Sequence, residues 1–145
     1  MELDQVNAVI IPCQNCLPLT VKTIESVRRQ DIPVTIFAIN NGSEDNTANW
    51  LAAQDDIYYW SYYPPRCVAA VWNAGLQFAF GGKSEYALVI NNDVELRCDT
   101  YRHLVGDGGG FVTAVGVIPT QFNPEPQKPT LAPRPHPDFS CYLIR

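Results

Sequence analysis

The residues of this chain best suited to chemistry form a polar triplet, Asn91-Asn92-Asp93, directly after an apolar run. One carboxylate flanked by two carboxamides offers the hard oxygen ligands that a divalent cation such as Mg²⁺ takes together with water and a diphosphate. The amides of Asn91 and Asn92 can also hydrogen-bond hydroxyl groups, because each carries donors and an acceptor. The same triplet could instead simply end a strand, so by itself it leaves both interpretations open.

Two further polar segments follow other apolar runs. They are residues 12 to 15 (Pro-Cys-Gln-Asn) and residues 40 to 43 (Asn-Asn-Gly-Ser). The amide of Asn41 has the donor and the acceptor needed to meet the edge of a pyrimidine base, although Asn and Gly are also the usual residues of tight turns. Gln14 and Asn15 could contact a base or cap the next helix.

Arg66 is the basic residue that precedes the clearest predicted helix. A guanidinium beside a helix N-terminus could hold a diphosphate, since both favour negative charge. A single Arg could equally be an exposed surface residue. Arg66 is therefore a candidate that needs support from the rest of the chain.

The cysteines and histidines give weaker signals. Cys13 and Cys16 form a C-x-x-C, but no second Cys or His pair follows at the spacing of a zinc site. A metal or redox role for this pair stays open, and the five cysteines are expected to be reduced thiols. His103 and His136 have no evident partners, so the sequence gives no support to a hydrolytic triad.

Strands and helices alternate along the chain, and this pattern predicts a mostly parallel sheet with helices on both faces. In such sheets ligands bind outside the carboxyl ends of the strands, where the three polar segments should converge on one crevice. The predicted strands cover residues 6 to 11, 34 to 39, 57 to 62, 86 to 90 and 111 to 118, and the predicted helices cover 20 to 30, about 45 to 54, 68 to 80 and 99 to 105.

One predicted helix carries an apolar stripe that should lie on the sheet, ending before Gly81-Gly82. The stripe consists of Val68, Val71, Trp72, Gly75, Leu76, Ala79 and Phe80. Toward the C-terminus, residues 123 to 137 are rich in proline and predict a loop. Residues 139 to 145 resemble a strand without a following turn. We therefore expect a domain cut short, whose exposed last strand could favour homo-oligomers.

Composition narrows the class of protein. A chain of 145 residues with 46% hydrophobic and 17% charged residues is typical of one globular domain, here residues 1 to 145. Its net charge of -5 argues against nucleic acid or anionic lipid as partners. The chain has no apolar run of membrane-spanning length and begins with an acidic segment. These features favour a cytoplasmic protein.

Taken together, four segments resemble family 2 glycosyltransferases, enzymes of the GT-A fold, over nearly the whole chain. The opening strand runs into the proline-to-asparagine turn of residues 12 to 15, and residues 39 to 47 are similar to the aspartate-rich loop of the family. Residues 72 to 76 resemble its asparagine-glycine helix. Residues 89 to 96 look like its D-x-D segment in the form that rhamnosyltransferase-like members use.

The resemblance implies transfer of a hexosyl or rhamnosyl group from a nucleotide diphospho-sugar to a saccharide or other acceptor hydroxyl, with inversion. On that basis Asp93 would hold Mg²⁺ or Mn²⁺ against the diphosphate, and Arg66 would assist. Asn91 and Asn92 would lie beside the ribose and Asn41 would meet the base. Pro12, Cys13, Gln14 and Asn15 would complete the base pocket. An acceptor of this kind could bring the protein to a membrane surface.

The chain also departs from the family pattern. Asn40 and Asn41 stand where many members have aspartates, which favours thymidine as an alternative to uridine donors. Pro65 and Cys67 replace the Asn and Gly that often precede the third helix. The catalytic base of the family lies beyond the last residue, so no base is assigned. Substitutes for it would be Asp99, Asp107 and Asp138.

Two other functions remain as alternatives. The chain could be a non-catalytic module that binds a nucleotide or a partner chain. A sugar nucleotidyltransferase is a weaker alternative, because such enzymes need a glycine-rich, basic loop after the first strand and residues 12 to 16 contain neither Gly nor Lys.

Overall fold

The computed structural model describes residues 7–106, 111–113 and 141–145. The strands in this part of the chain are β1 (Asn7–Cys13), β2 (Thr35–Asn41), β3 (Ile57–Tyr62), β4 (Tyr86–Ile90), β5 (Phe111–Thr113) and β6 (Cys141–Ile144). The helices are α1 (Leu17–Arg28), α2 (Thr47–Ala52), α3 (Val68–Gly81) and α4 (Thr100–Gly106). None of the helices among these residues combines the length and apolar character needed to cross a membrane.

The strands form one sheet in the order β3-β2-β1-β4-β6-β5. β1 pairs in parallel with β2 and β4, and β2 pairs in parallel with β3. β6 runs antiparallel to both of its neighbours, β4 and β5. Five strands therefore share one direction, and the mostly parallel α/β sheet expected from the sequence is confirmed.

This direction gives the sheet two distinct ends. The carboxyl end is the one where β1, β2, β3 and β4 finish, and the amino end is the opposite one. α1 starts just after the carboxyl end of β1 and returns to the amino end, where β2 begins. The loops that follow β1, β2, β3 and β4 consequently lie together at the carboxyl end.

The central strand β1 is buried on both faces, as its apolar sequence predicts. Alternate side chains enter two separate cores, because successive residues of a strand point to opposite faces. Val9 and Ile11 pack in the cluster that contains Ile24 of α1. Ile10 packs in the other cluster, with Val71 of α3. One strand thus joins the two helical layers.

The predicted apolar stripe on α3 is wider than the face that the helix buries. Val71, Gly75 and Ala79 are fully or almost fully buried, but Val68 is 49% and Phe80 is 37% exposed. The narrow contact follows from close approach at Gly75, where an added Cβ would clash with Cγ2 of Ile10. Because the helix backbone rests on the sheet there, residues on the flanks of the stripe remain partly in solvent.

The end of the chain also differs from expectation. β6 lies between β4 and β5, so it is an inner strand of the described sheet and not an exposed edge. The predicted strand of residues 111 to 118 is described only over Phe111–Thr113. The proline-rich segment of residues 123 to 137 lies outside the described residues.

A second difference concerns the start of α1. The helix begins at Leu17, three residues before the predicted start. Pro18 fits its first turn, because the N–H that proline lacks would have no helical partner there. The loop between β1 and α1 is therefore only three residues long, which keeps Gln14 and Asn15 close to the end of the sheet.

Candidate functional site

The loop after β1 is held against the loop after β2. Asn15 and Cys16 both adopt left-handed backbone conformations, with φ of 57° and 60°. Asn tolerates this region better than most residues. The backbone N–H of Asn15 donates to Oγ of Ser43 at 2.9 Å, and Oδ1 of Asn15 accepts from the backbone N–H of Glu44 at 2.8 Å. The two loops therefore brace each other.

Asp45 adds a second link between the same loops. Its carboxylate accepts from the backbone N–H of Leu17 and from that of Thr47, each at 3.0 Å. It therefore satisfies a free donor in the first turns of both α1 and α2. Hydrogen bonds from Thr47 and from the Leu17 backbone hold the pKa of Asp45 below its ordinary value. The charged form is thus the one that joins the two helices.

Asn92 brings the segment after β4 to the same place. Its Nδ2 donates to the carbonyl oxygen of Asn15 at 3.1 Å and to Oγ1 of Thr20 at 2.9 Å. Both N–H groups of the amide are used, so Oδ1 is the atom that a ribose hydroxyl could meet. The three polar segments that the sequence singled out after β1, β2 and β4 are therefore in direct contact.

Asn41 at the end of β2 is paired with the loop after β3. Its Nδ2 donates to the carbonyl oxygen of Arg66 at 2.9 Å, and its Oδ1 accepts from the backbone N–H of Arg66 at 2.8 Å. The side chain is nearly enclosed, at 7% exposure. The expected contact with a base stays a prediction, and this pairing leaves one amide N–H and one lone pair of Oδ1 for it.

Arg66 itself is exposed, and its guanidinium lies 4.0 Å from the centroid of the Tyr62 ring. This cation–π contact is not a hydrogen bond, and the Arg66 guanidinium donates no hydrogen bond within the described residues. The loop after β3 also packs on the loop after β2. Pro65 lies against Gly42, where an added Cβ would be 2.9 Å from the proline Cδ. Gly42 has a φ of 70°, which glycine adopts without strain.

Asn91 and Asp93 differ from their neighbours in having unengaged side chains. Asp93 is exposed and Asn91 is half-buried, and within the described part of the chain neither side chain forms a hydrogen bond or ion pair. No group of three His, Cys, Asp or Glu residues suited to a metal occurs among the described residues. One free carboxylate fits a cation that takes its other ligands from water and a diphosphate.

The remaining residues of the predicted base pocket differ in their exposure to solvent. Gln14 is exposed, whereas Pro12 and Cys13 are buried within β1. The Cys13 thiol donates to the carbonyl oxygen of Ile11 at 3.3 Å, and burial raises its pKa to about 12. Burial of Cys13 in the core thus disfavours the thiolate that a metal or redox pair with the exposed Cys16 would need.

Asp99, a substitute for the catalytic base, lies at the amino end of the sheet. Its carboxylate contacts Nε of Arg97 at 3.3 Å and Nε2 of His103 at 3.4 Å. The preceding residue, Cys98, accepts a hydrogen bond from Asp31 just beyond α1. Asp99 is therefore poorly placed to substitute for the base, because it lies at the end of the sheet opposite the polar loops. Asp107 and Asp138 lie outside the described residues.

Sequence reasoning missed part of this network. Neither Thr20 nor Asp45 was singled out from the sequence as a site residue. The spacing of Asp45 and Thr47 does predict their local hydrogen bond, since Asp commonly binds the backbone two residues on. Thr20 and Asn92 are 72 residues apart, and no local sequence pattern predicts their hydrogen bond.

The chain is similar in fold to solved structures of glycosyltransferases. The mannosyltransferase PcManGT from Pyrobaculum calidifontis, in complex with GDP-Man and Mn²⁺, has a TM-score of 0.63 and 22% identity. S. aureus TarS 1-349 in complex with UDP has a TM-score of 0.62 and 16% identity. The matches cover 76% and 77% of this chain, but only 35% and 37% of those two. The chain thus spans about a third of the length of these structures.

Sequence comparison gives a family but no close relative. Among curated protein sequences none matches the chain significantly. The family model described as glycosyl transferase family 2 matches residues 8–130, which is most of the chain. The fold similarity agrees with the GT-A fold expected from the sequence. The chain belongs to glycosyl transferase family 2.

Proposed function

We propose that the carboxyl end of the sheet binds a nucleotide diphospho-sugar through a divalent cation held by Asp93, for transfer of the sugar to an acceptor hydroxyl. The observation that carries this proposal is a contrast within the site. The loop backbones and most polar side chains are tied to one another, yet Asp93 after β4 and Arg66 after β3 carry charges without ion-pair partners among the described residues.

The charges at this end of the sheet determine what can bind there. A diphosphate is strongly negative, so Asp93 alone would repel it. A Mg²⁺ or Mn²⁺ ion on Asp93 would reverse that effect and, as a Lewis acid, would stabilise negative charge on the leaving diphosphate. Arg66 supplies a permanent positive charge just before α3. The neighbour solved with GDP-Man and Mn²⁺ supports this choice of ligand and cation.

The nucleoside would lie on the other polar groups of the same loops. Asn91 and Oδ1 of Asn92 would receive ribose hydroxyls, since the two N–H groups of Asn92 are used within the protein. Gln14 and the backbone of residues 12 to 15 would border the base. We keep uridine and thymidine as the expected bases. A guanosine nucleotide belongs in the test, because it is bound in one of the structural neighbours.

For the reaction we propose transfer with inversion, as the sequence resemblance implies. The acceptor hydroxyl needs a general base within about 3 Å, and no residue is assigned to that role. The alternative of a non-catalytic nucleotide-binding module uses the same donor site. Measuring donor consumption and glycoside formation by the 145-residue chain separates the two: product formation excludes the non-catalytic module.

Calorimetry tests donor binding directly. The chain is titrated with uridine, thymidine and guanosine diphosphates, each with Mn²⁺, with Mg²⁺ and with a chelator. We expect saturable binding of at least one diphosphate that depends on the metal and is weaker for the matching monophosphate. Absence of metal-dependent binding in a sample shown by circular dichroism to be folded would contradict the proposal.

A further inference from the structure

The pairing of Asn41 with Arg66 has a chemical requirement that only an amide meets. The backbone N–H of Arg66 donates to Oδ1 of Asn41 at 2.8 Å, and Nδ2 of Asn41 donates to the backbone carbonyl oxygen of Arg66 at 2.9 Å. An aspartate could accept from the N–H, but its second oxygen would face the carbonyl without a hydrogen. A short side chain with both donor and acceptor is therefore required here.

Everything else around Arg66 also fixes the loop without using the guanidinium donors. Pro65 packs on Gly42, and the guanidinium lies over the Tyr62 ring. The loop is thus held from its backbone while the charged group stays exposed. Such an arrangement lowers the ordering cost when an anion binds, because the Arg is already positioned.

We propose that Asn41 is a positioning residue for Arg66, and that this is the reason for an amide in place of an aspartate at position 41. Its amide sets the loop after β3 so that the Arg66 guanidinium contacts the diphosphate of the donor. The inference rests on the proposed function. It differs from reading of a base by Asn41, because the effect of Asn41 reaches the ligand through the phosphates and not through the nucleobase.

The test compares Asn41→Asp with Asn41→Ala, each alone and combined with Arg66→Ala. The probe is whichever of the uridine, thymidine and guanosine diphosphates binds the unsubstituted chain most tightly with Mn²⁺. Loss of a nearly buried hydrogen bond should lower that affinity about tenfold in both single variants. In the Arg66→Ala background the same substitutions should change it less than about twofold. An effect of the introduced carboxylate charge alone would persist in that background and would be absent from Asn41→Ala.

Two further measurements separate this inference from other roles of Asn41. The preference among the three bases should be unchanged in both Asn41 variants, whereas a base-reading residue would alter it. Amide hydrogen exchange should show the Arg66 N–H protected in the unsubstituted chain and exchanging at least about tenfold faster in Asn41→Ala. This readout needs no ligand. Asn49→Asp, on the exposed side of α2, controls for the added charge.

Each contrary result has a distinct meaning. Unchanged protection of the Arg66 N–H in the Asn41 variants would overturn the positioning role. An affinity loss of equal size with and without Arg66 would overturn it as well. If the unsubstituted chain binds no nucleoside diphosphate, the proposed function fails, and the assignment of a diphosphate to this loop fails with it.

Discussion

The two ends of the sheet use polar residues in opposite ways. At the amino end charged side chains form ion pairs with each other. Nε of Arg28 donates to Asp56 at 2.8 Å, and Nε of Arg102 donates to Asp31 at 2.7 Å. At the carboxyl end polar side chains mainly bind backbone groups of other loops, as Asn41 does with Arg66.

This difference indicates which end is built for a ligand. Ion pairs at the amino end connect α1 to the segments around it. At the carboxyl end the loops are fixed by neutral amides and one acid, Asp45. The charges of Asp93, Arg66 and Glu44 form no ion pair among the described residues, and we propose that the first two bind the donor. Four predictions test this contrast, from the largest expected effect to the smallest.

The largest effect should come from Asp93→Asn. The substitution removes the one charged ligand proposed for the cation. Since even indirect support of a metal ligand is worth about 10- to 100-fold in affinity, loss of the ligand itself should weaken diphosphate binding with Mn²⁺ more than about 100-fold. Calorimetry measures the affinity, and the thermal unfolding midpoint should stay within about 2 °C of the original.

The matched control for Asp93→Asn is Asp55→Asn, an exposed aspartate in the turn between α2 and β3. It makes the same change of charge away from the polar loops and should leave affinity unchanged. Equal loss of binding in the two variants would mean that net charge, and not a ligand at Asp93, is responsible.

Asn92→Ala should destabilise the carboxyl end without touching the amino end. The variant loses two hydrogen bonds and leaves the Asn15 carbonyl and Thr20 hydroxyl without this partner. We expect a loss of about 2 kcal/mol in the free energy of unfolding by urea, together with weaker diphosphate binding. Asn49→Ala on α2 is the control. A stable variant with unchanged affinity would show that the loop contacts do not organise the site.

Arg28→Met should lower stability at the amino end and leave diphosphate binding unchanged. It removes the ion pairs with Asp56 and Glu25 and the contact with Gln54, but preserves the apolar part of the side chain. Because both ion pairs are partly exposed, we expect a loss of only about 1 kcal/mol in the free energy of unfolding. Diphosphate affinity should be unchanged. Arg29→Met, which breaks a looser pair at 3.7 Å, should cost less, and a binding defect in Arg28→Met would break the contrast between the ends.

The smallest effect concerns pH. The hydrogen bond and charge of Arg28 hold the pKa of Asp56 below its ordinary value of 3.8. A carboxyl whose pKa is lowered by folding stabilises the protein above the unfolded value and loses that contribution as pH falls through the folded value. The stability difference between the unsubstituted chain and Asp56→Asn should therefore shrink as the pH is lowered below about 4. A difference that is constant down to about pH 2 would exclude this coupling.

Much of the fold was predictable because it follows from local patterns. Apolar runs indicated the strands, and their alternation with helices placed the polar segments at one end of the sheet. The position of β6 was not predictable, since pairing of Leu143 with Leu88 joins residues far apart in the chain. The partial exposure of Val68 and Phe80 was missed for a related reason: helix periodicity cannot show how closely a helix approaches a sheet.

The candidate site was predictable in its location but not in its internal contacts. Residue type suggested that Asn41 and Asn92 could bind a ligand, yet much of the hydrogen-bonding capacity of both amides is used within the protein. Sequence gives the capacity of an amide and not its partner. The exposed Asp93, by contrast, has the freedom that its predicted role requires.

The most direct test of the central claim is to locate a bound cation. Backbone amide NMR signals of the unsubstituted chain are recorded with uridine diphosphate and substoichiometric Mn²⁺, using Mg²⁺ as the diamagnetic reference. The account predicts broadening centred on residues 91 to 93 and extending to residues 13 to 16, with the amino end around Asp31 and Asp56 unaffected. Broadening centred at the amino end, or spread evenly over exposed carboxylates, would contradict it.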